Sequence, residues 1–419
     1  MGQAGALEPI PVREPEGPPT RRRSPAEWVR ENLFGGPLDT ILTLVFGALL
    51  AWAIWRVATF VFVDARWEII ERNITSLMVG GFPRDELWRV WAALLILAAS
   101  LGWGAGALVV RRRLAVAEGR EARGDRTAGL RRIAPIVLLV GVLLWFASSL
   151  QALLLVLAAA GIGAAFNLLG RRTPKRLDRF VPLLVLAGIL VAFLVIVAFG
   201  GVRWTQWGGL LLTLFLAIGG IAISFPLGVL LAVGRRSSFP AVRIVCVGYI
   251  EFIRGVPLIA LLFMGAFMIG FFLPEGVERP DAVVRALIAF VMFTAAYVAE
   301  VVRGGLQSVP AGQVEAAQAL GLSPFRITTR IVLPQALRNV IPALVGQFIS
   351  LFKDTSLVFI VGLVDLLAIA ENITKQPDFL AQGLIVETLL FASFIYWTGS
   401  YWMSRESQRL ERRLGLGER

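Results

Sequence analysis

Long apolar runs separated by short charged or polar loops dominate the pattern of this chain. They fall at residues 38–63, 89–110, 133–148, 150–169, 180–200, 208–233, 244–272, 286–302, 341–364 and 384–403. A helix needs roughly 20 mostly apolar residues to cross about 30 Å of hydrocarbon. The pattern therefore predicts an all-α polytopic membrane protein with about ten transmembrane helices. The run 133–169 reads as two spans or one. Ahead of the first run, residues 1–36 are rich in Pro, Gly, Arg and Glu and predict a disordered cytoplasmic tail. Residues 406–419 predict a second, C-terminal tail.

Charge tests the count, because short cytoplasmic loops collect Lys and Arg. The loop 111–132 holds Arg111, Arg112, Arg113, Arg120, Arg123, Arg126, Arg131 and Arg132, and the next basic loop holds Arg171, Arg172, Lys175, Arg176 and Arg179. Both lie inside only if the run between them crosses an even number of times, which favours two spans. Arg235, Arg236 and Arg243 then lie inside, the loop with Glu275, Glu278 and Asp281 outside, and residues 303–338 inside again. Both termini are then expected in the cytoplasm.

Composition agrees and narrows the chemistry. Of 419 residues, 57% are hydrophobic and 17% charged, with 41 Lys+Arg against 29 Asp+Glu, which excludes an ordinary water-soluble domain. There is no histidine, and Cys246 is the one cysteine. Ser-His triads, Cys/His metal sites and intrachain disulfides are thereby excluded. A P-loop needs Gly-Lys-Ser/Thr to cradle phosphates, yet Lys175, Lys353 and Lys375 follow Pro174, Phe352 and Thr374. The chain is expected to bind no cofactor or metal and to hydrolyse no ATP.

One inside segment, 309–334, carries local order. Pro310 opens a helix, Ala316, Ala317 and Ala319 favour it, and Gly321 suits the left-handed position past its end. Ser323 and Pro324 start a second helix, which Pro334 is expected to end or kink. The spacing of Glu315, Ala316, Ala317, Gly321, Ile331, Leu333 and Pro334 matches the EAA loop of permease subunits in ATP-binding-cassette importers. Further segments, Trp207-Gly-Gly-Leu-Leu-Leu-Thr213, Glu251-Phe-Ile-Arg-Gly-Val-Pro-Leu258, Ala296 onward to Gln313, and Phe352-Lys-Asp-Thr-Ser-Leu357, resemble the polar amino-acid uptake branch. The whole chain resembles its larger, M-type permease of general L-amino-acid transporters.

The resemblance implies a type-1 permease core of five helices over 207–405, preceded by a transmembrane extension of about five spans over 37–206. It implies docking of two ATP-binding subunits, which use ATP and Mg, on Glu315, Ala316, Ala317 and Gly321. It also implies a second permease as heterodimer partner and a periplasmic amino-acid-binding protein. Nucleic acid is not an expected partner. An ion-gradient-driven secondary transporter is the alternative, but the diagnostic motifs occur once rather than in two related halves. A membrane-embedded enzyme would have to rely on Lys353 near Ser350 and Ser356.

Ionisable residues inside the runs complete the candidates. Lys353 and Asp354 fall within the run 341–364, where a charge costs about 2.5–3.5 kcal/mol on insertion scales. With Thr355 and Ser356 they line a translocation path or, equally, fix helix packing. Glu251 and Arg254 precede Gly255-Val256-Pro257, which predicts a break, and Glu300 and Arg303 share one helical face. Both pairs read first as structural ion pairs and second as gating groups. Gly102 and Gly106 have the spacing of close helix packing.

Overall fold

The computed structural model describes residues 24–117, 127–174, 180–197 and 201–414. The start of the expected N-terminal tail, the middle of the basic loop 111–132, Lys175, Arg176, Arg179 and the last five residues lie outside the described residues. The chain divides into two compact units, Met1–Arg66 and Trp67–Arg419. Among the described residues the only β pairing is an isolated parallel bridge between Gly209 and Asp365.

In the first unit, helix α1 (Pro25–Leu33) occupies part of the stretch expected to be disordered. The reason is local. Ser24 Oγ accepts from Glu27 N at 3.1 Å while Glu27 Oε2 accepts from Ser24 N at 3.0 Å, a capping box. Such a cap contributes about 1 kcal/mol, and Pro25 presets the first turn. Composition hid a start signal that sequence order shows. Helix α2 (Pro37–Thr59) runs on as a π turn, Phe60–Asp64, and buries no residue. Thr43 Oγ1 donates to Leu33 O at 2.7 Å, joining α1 to α2.

The second unit opens with a short amphipathic helix that the span pattern misses, α3 (Glu68–Val79), which buries Ile69, Ile70, Asn73, Ile74 and Leu77. Helices α4 (Leu87–Ala117), α5 (Thr127–Ala147), α6 (Leu150–Gly170) and α7 (Val181–Val197) follow. The run 133–169 holds two helices, because Ser148 turns left-handed and Ser149 caps α6 by accepting from Ala152 N. Helix α4 lies against α6 through small residues. A Cβ on Gly102 would stand 2.3 Å from Gly163 O, and one on Gly106 2.1 Å from Asn167 O. Backbones approach this closely only without side chains, so the glycine spacing has a packing role. Asn167 Nδ2 adds a hydrogen bond to Gly102 O at 3.3 Å.

Helices α8 (Gly209–Arg235), α9 (Pro240–Gly255), α10 (Leu258–Phe263) and α11 (Ala282–Gln307) begin the C-terminal half. Two short helices, α12 (Ala311–Ala319) and α13 (Pro324–Ile327), lead into α14 (Leu333–Asp354). The chain ends with α15 (Leu366–Asn372) and α16 (Ile385–Leu414). The break expected at Gly255-Val256-Pro257 is a bend of 105° between Pro240–Gly255 and Leu258–Phe272. Of the segment expected as a C-terminal tail, residues 406–414 are helical and continue α16, where Arg409 Nη1 reaches Glu406 at 2.6 Å and Ser407 Oγ reaches Glu411 at 2.8 Å. Pairs three or four apart stabilise one helical face.

Among the described residues six helices are long and apolar enough to cross a membrane, or seven if the bent pair counts as one span. Shorter apolar helices, Ala134–Ala147 and Val181–Val197, fill two further runs, and α16 fills the last. At the centre α8 packs on α11. Gly228 sits where a Cβ would fall 2.5 Å from Val298 Cγ1, and α11 buries Ala286, Ala289, Ala295, Ala296 and Ala299.

Candidate functional site

At one end of the second unit, α12, Gly321 and α13 form an elbow. Gly321 has φ +73°. Its N–H donates to Gln318 O at 2.9 Å, and Leu322 N to Ala317 O at 3.2 Å. This pair of bonds is a Schellman ending, which uses up carbonyls that a helix end leaves unpaired. The elbow has two faces. Ala317, 2% exposed, packs with Ile327 and Val332 into the cluster that holds Ala232, Ile250, Val302 and Leu306. Glu315, Ala316, Gly321 and Pro334 face outward, while Ile331 and Leu333 are half-buried. Leu320 at 80% and Phe325 at 76% exposure present large apolar side chains on either side of the Gly321 turn. The spacing argument did not single out these two residues; large apolar side chains flanking a glycine turn were the available signal.

Of the two outcomes expected at Pro334, an end or a kink, the end does not occur. The proline stands in the first turn of α14, and the stretch Pro324–Val361 runs through as one long helical path. A π turn over Thr328–Val332 precedes it. A proline has no N–H and crowds the carbonyl four residues back, and the widened turn accommodates both effects.

The two expected ion pairs are one cluster. Glu300 Oε1 accepts from Arg303 Nε at 2.6 Å, and Glu300 Oε2 lies 3.1 Å from Arg235 Nη1 and 3.5 Å from Arg254 Nη1. Arg235 Nη1 also lies 3.1 Å from Glu251 Oε1. Arg254 therefore turns to Glu300 across helices, and Arg235 takes Glu251. The Arg254 guanidinium lies 5.7 Å from the centroid of the Tyr297 ring. This cluster joins α8, α9 and α11 at the elbow's end of the bundle. Arg235 entered the sequence reading only as a topology marker. Its partner Glu300 is 65 residues away, and helical spacing rules see only near neighbours.

Lys353, Asp354, Thr355 and Ser356 lie where α14 passes into the 3₁₀ turn Thr355–Val361. Lys353 is exposed and Asp354 half-buried. Thr355 is fully buried and donates to Phe352 O at 2.7 Å, so it points into protein. Ser356 Oγ donates to Lys353 O at 2.8 Å. Along α14 the exposed residues Ala343, Gly346, Ser350 and Lys353 share one face, a small and polar face for a membrane span.

The opposite end of the bundle holds a knot that sequence reasoning missed. Gly80 follows α3 and Gly208 precedes α8, with a Cβ on Gly80 falling 2.4 Å from Gly208 Cα. Gly209 N donates to Val364 O at 2.9 Å. Thr213 Oγ1 accepts from Leu366 N at 3.2 Å and donates to Gly209 O at 3.1 Å. Asp365, past the end of the long span, caps α15 through Leu367 N and Ala368 N, both at 3.1 Å, and accepts from the Tyr396 hydroxyl at 3.0 Å. Burial pushes the Asp365 carboxyl up to about 6 despite the hydrogen bonds that favour its charge. The Trp-Gly-Gly and Thr signals were visible in sequence, but their partners lie far along the chain.

Comparison with known proteins places these features. A family described as "Binding-protein-dependent transport system inner membrane component" matches residues 224–415. The chain is 36% identical over 411 residues to the inner membrane amino-acid ABC transporter permease protein YhdY of Escherichia coli (strain K12), covering 93% of each chain. It is 34% identical over 454 residues to the glutamate/glutamine/aspartate/asparagine transport system permease protein BztC of Rhodobacter capsulatus, covering 96% of each. The glutamate/aspartate import permease protein GltK of an Escherichia coli O6:H1 strain is 36% identical over 209 residues, covering 49% of this chain and 91% of that one.

Proposed function

The chain belongs to the family of amino-acid ABC transporter permeases, inner-membrane components of binding-protein-dependent transport systems, and on that premise we propose how it works. It forms one side of an importer's pathway and moves L-amino acids, polar ones with broad tolerance, by alternating access. A second, different permease completes the pathway. Two ATP-binding subunits hydrolyse ATP with Mg, and this chain holds neither. A periplasmic binding protein delivers the amino acid. Family membership decides against a carrier driven by an ion gradient.

The observation that carries this reading is the two-faced elbow. Its inner face is continuous with the helix core through Ala317, Ile327 and Val332, while its outer face offers Glu315, Gly321, Leu320 and Phe325. A push on the outer face reaches the spans because the elbow joins α11 and α14 directly. The exposed face of α14, with Lys353, Asp354 and Ser356 at its far end, supports a water-lined path, since small and polar residues in a span face protein or water. Thr355 supports that path from within the fold. Glu251, Arg254, Glu300 and Arg303, with Arg235, hold α8, α9 and α11 in register, and gating through exchange of these partners is a secondary role.

The test is coupling. Gly321 has φ +73° with nothing within 4 Å of a Cβ, so Gly321→Val strains the turn without a clash. Gly321→Val and Glu315→Lys are expected to lower ATP-driven uptake about tenfold or more, the scale of a lost interface anchor. Membrane insertion and assembly with the paired permease are expected to persist. Uptake at the wild-type rate in both variants, measured in reconstituted vesicles, would overturn the docking assignment.

A further inference from the structure

Helices α14 and α16 run antiparallel, with Phe352 beside Gly399 at one level and Arg338 beside Leu414 at another. Between these levels they leave a cavity of about 250 Å³, with Pro342, Gly346 and Ile349 of α14 on one wall and Ser404, Ser407 and Glu411 of α16 on the other. Sites for drug-sized ligands hold roughly 300–1,000 Å³, so this one suits a smaller solute. Pro342 is the second residue of the apolar run 341–364, and Ser404 directly follows the run 384–403. The cavity therefore straddles the boundary of the spans on the elbow's side. On α14 its wall continues into Ser350 and Lys353, along the face that supports the path.

The two walls differ in chemistry. That of α14 is apolar, and a Cβ on Gly346 would meet nothing within 4 Å. That of α16 is polar, with buried Ser407 donating to Glu411 Oε1 at 2.8 Å. Other charges of α16 are used elsewhere, Arg409 on Glu406 at 2.6 Å and Arg405 on the Tyr401 hydroxyl at 2.9 Å. One turn before Pro342, on the same face of α14, stands exposed Arg338. Its guanidinium donates to Leu414 O, one turn past Glu411. Exposed Arg412, four residues past the lining residue Gln408, adds a second cation at that end. Among the described residues neither Glu411 nor Arg338 has a salt-bridge partner. A carboxylate and a guanidinium thus flank one small cavity without neutralising each other.

We propose that this cavity binds a free polar amino acid from the cytoplasm and that its occupancy slows import. The ammonium group goes to Glu411 and the serine hydroxyls, the carboxylate to Arg338, and the side chain lies along Pro342, Gly346 and Ile349. A zwitterion supplies both missing counter-charges at once, whereas an anionic lipid headgroup would meet Glu411 with like charge. The proposal rests on the importer reading and adds to it a regulatory site on the permease itself. A ligand shifts a conformational equilibrium only by binding one state better. An occupant wedged between α14 and α16 favours the state in which their elbow-side ends are apart, so accumulated solute holds back the next cycle.

The experiment uses the complete transporter in lipid vesicles, with ATP inside and the binding protein and labelled L-glutamine outside. Initial uptake is read at rising internal L-glutamine, each variant being scaled to its own uptake into vesicles without it. Wild-type uptake is expected to fall as internal L-glutamine rises, and internal glutarate, which lacks the ammonium group, is expected to leave it unchanged. Glu411→Gln and Arg338→Gln are each expected to raise the half-inhibiting concentration about tenfold, the scale of one lost charge-assisted hydrogen bond. Gly346→Leu, which fills the cavity, is expected to abolish the inhibition. Wild-type uptake that ignores internal L-glutamine, or wild-type inhibition of both Glu411→Gln and Gly346→Leu, would overturn the proposal. In a Cys246→Ser background, labelling of Ser404→Cys by an internal maleimide that L-glutamine slows and glutarate does not supports it. A Ser404→Cys thiol that never reacts in the complete transporter, as when the second permease fills the cavity, overturns it. Absence of ATP-dependent uptake even into vesicles free of internal amino acid would instead sink the importer reading.

Discussion

Gly321 at the elbow and Gly209 at the knot are the same residue in the same left-handed region, with φ +73° and +56°, yet they are there for opposite reasons. Around Gly321 there is open space; at Gly209 a Cβ would fall 2.3 Å from Leu77 O. One glycine turns the chain so that a surface is presented. The other lets three backbone segments meet, from the extension, the start of α8 and the approach to α15. The contrast separates an end built to be pushed from an end built to hold. Charges follow the same division, since Glu300 gathers guanidiniums from three helices near the elbow, whereas the knot is tied by backbone groups, two hydroxyls and one buried carboxylate.

The same small substitution at both glycines is the most direct way to break this contrast. Gly209→Ala is expected to cost about 2–5 kcal/mol, from left-handed strain of about 1–2 kcal/mol plus about 1–3 kcal/mol of overpacking against backbone. Gly321→Ala is expected to cost only the strain. Equal shifts in the unfolding midpoint of the purified protein would erase the distinction. At the elbow end, Glu300→Gln leaves Arg235, Arg254 and Arg303 around a neutral amide. The expected loss is about 2 kcal/mol, below the range for fully buried pairs because Glu300 retains 20% side-chain exposure. Restoration by Arg235→Gln in the same chain would show that excess positive charge, rather than lost packing, causes the loss.

The smallest effect is one of pH. Asp365 is raised in the folded protein from 3.8 to about 6. For an acid shifted upward, the folded state binds more protons than the unfolded one across that window, so stability is greatest below 3.8 and declines as pH rises toward about 6. Asp365→Asn keeps a capping oxygen and carries no charge. It is expected to flatten the decline of stability between pH 3.8 and about 6, as followed by denaturant unfolding at several pH values. An unchanged slope would place that dependence on other groups.

Much of the elbow is legible in the residues themselves. A helix start, an alanine run, a glycine and a second start lie in one short stretch, and each acts on its immediate neighbours. The capping box of α1 is equally local, although the Pro-, Gly- and Arg-rich composition around it masks the signal. Helix α3 left a periodic trace in Ile69, Ile70, Ile74 and Leu77, too short to register as a span. The charge cluster was half visible, since the three-residue spacing of Glu300 and Arg303 is a helical signal, while the approach of Arg235 and Arg254 to Glu300 depends on how three helices pack.

The amino-acid order by itself determined that this chain lives in a bilayer, where most of its helices lie, and what kind of elbow it offers, because apolar run length, charge bias and turn chemistry are short-range properties. Only the tertiary structure decided that Gly80, Gly208 and Val364 meet and that Arg235 serves both Glu251 and Glu300. It also placed Asn73 of the extension against Gln376 of the core. Contacts between residues hundreds of positions apart arise from helices choosing partners, and that choice is made by shape and burial in three dimensions rather than by any local spacing.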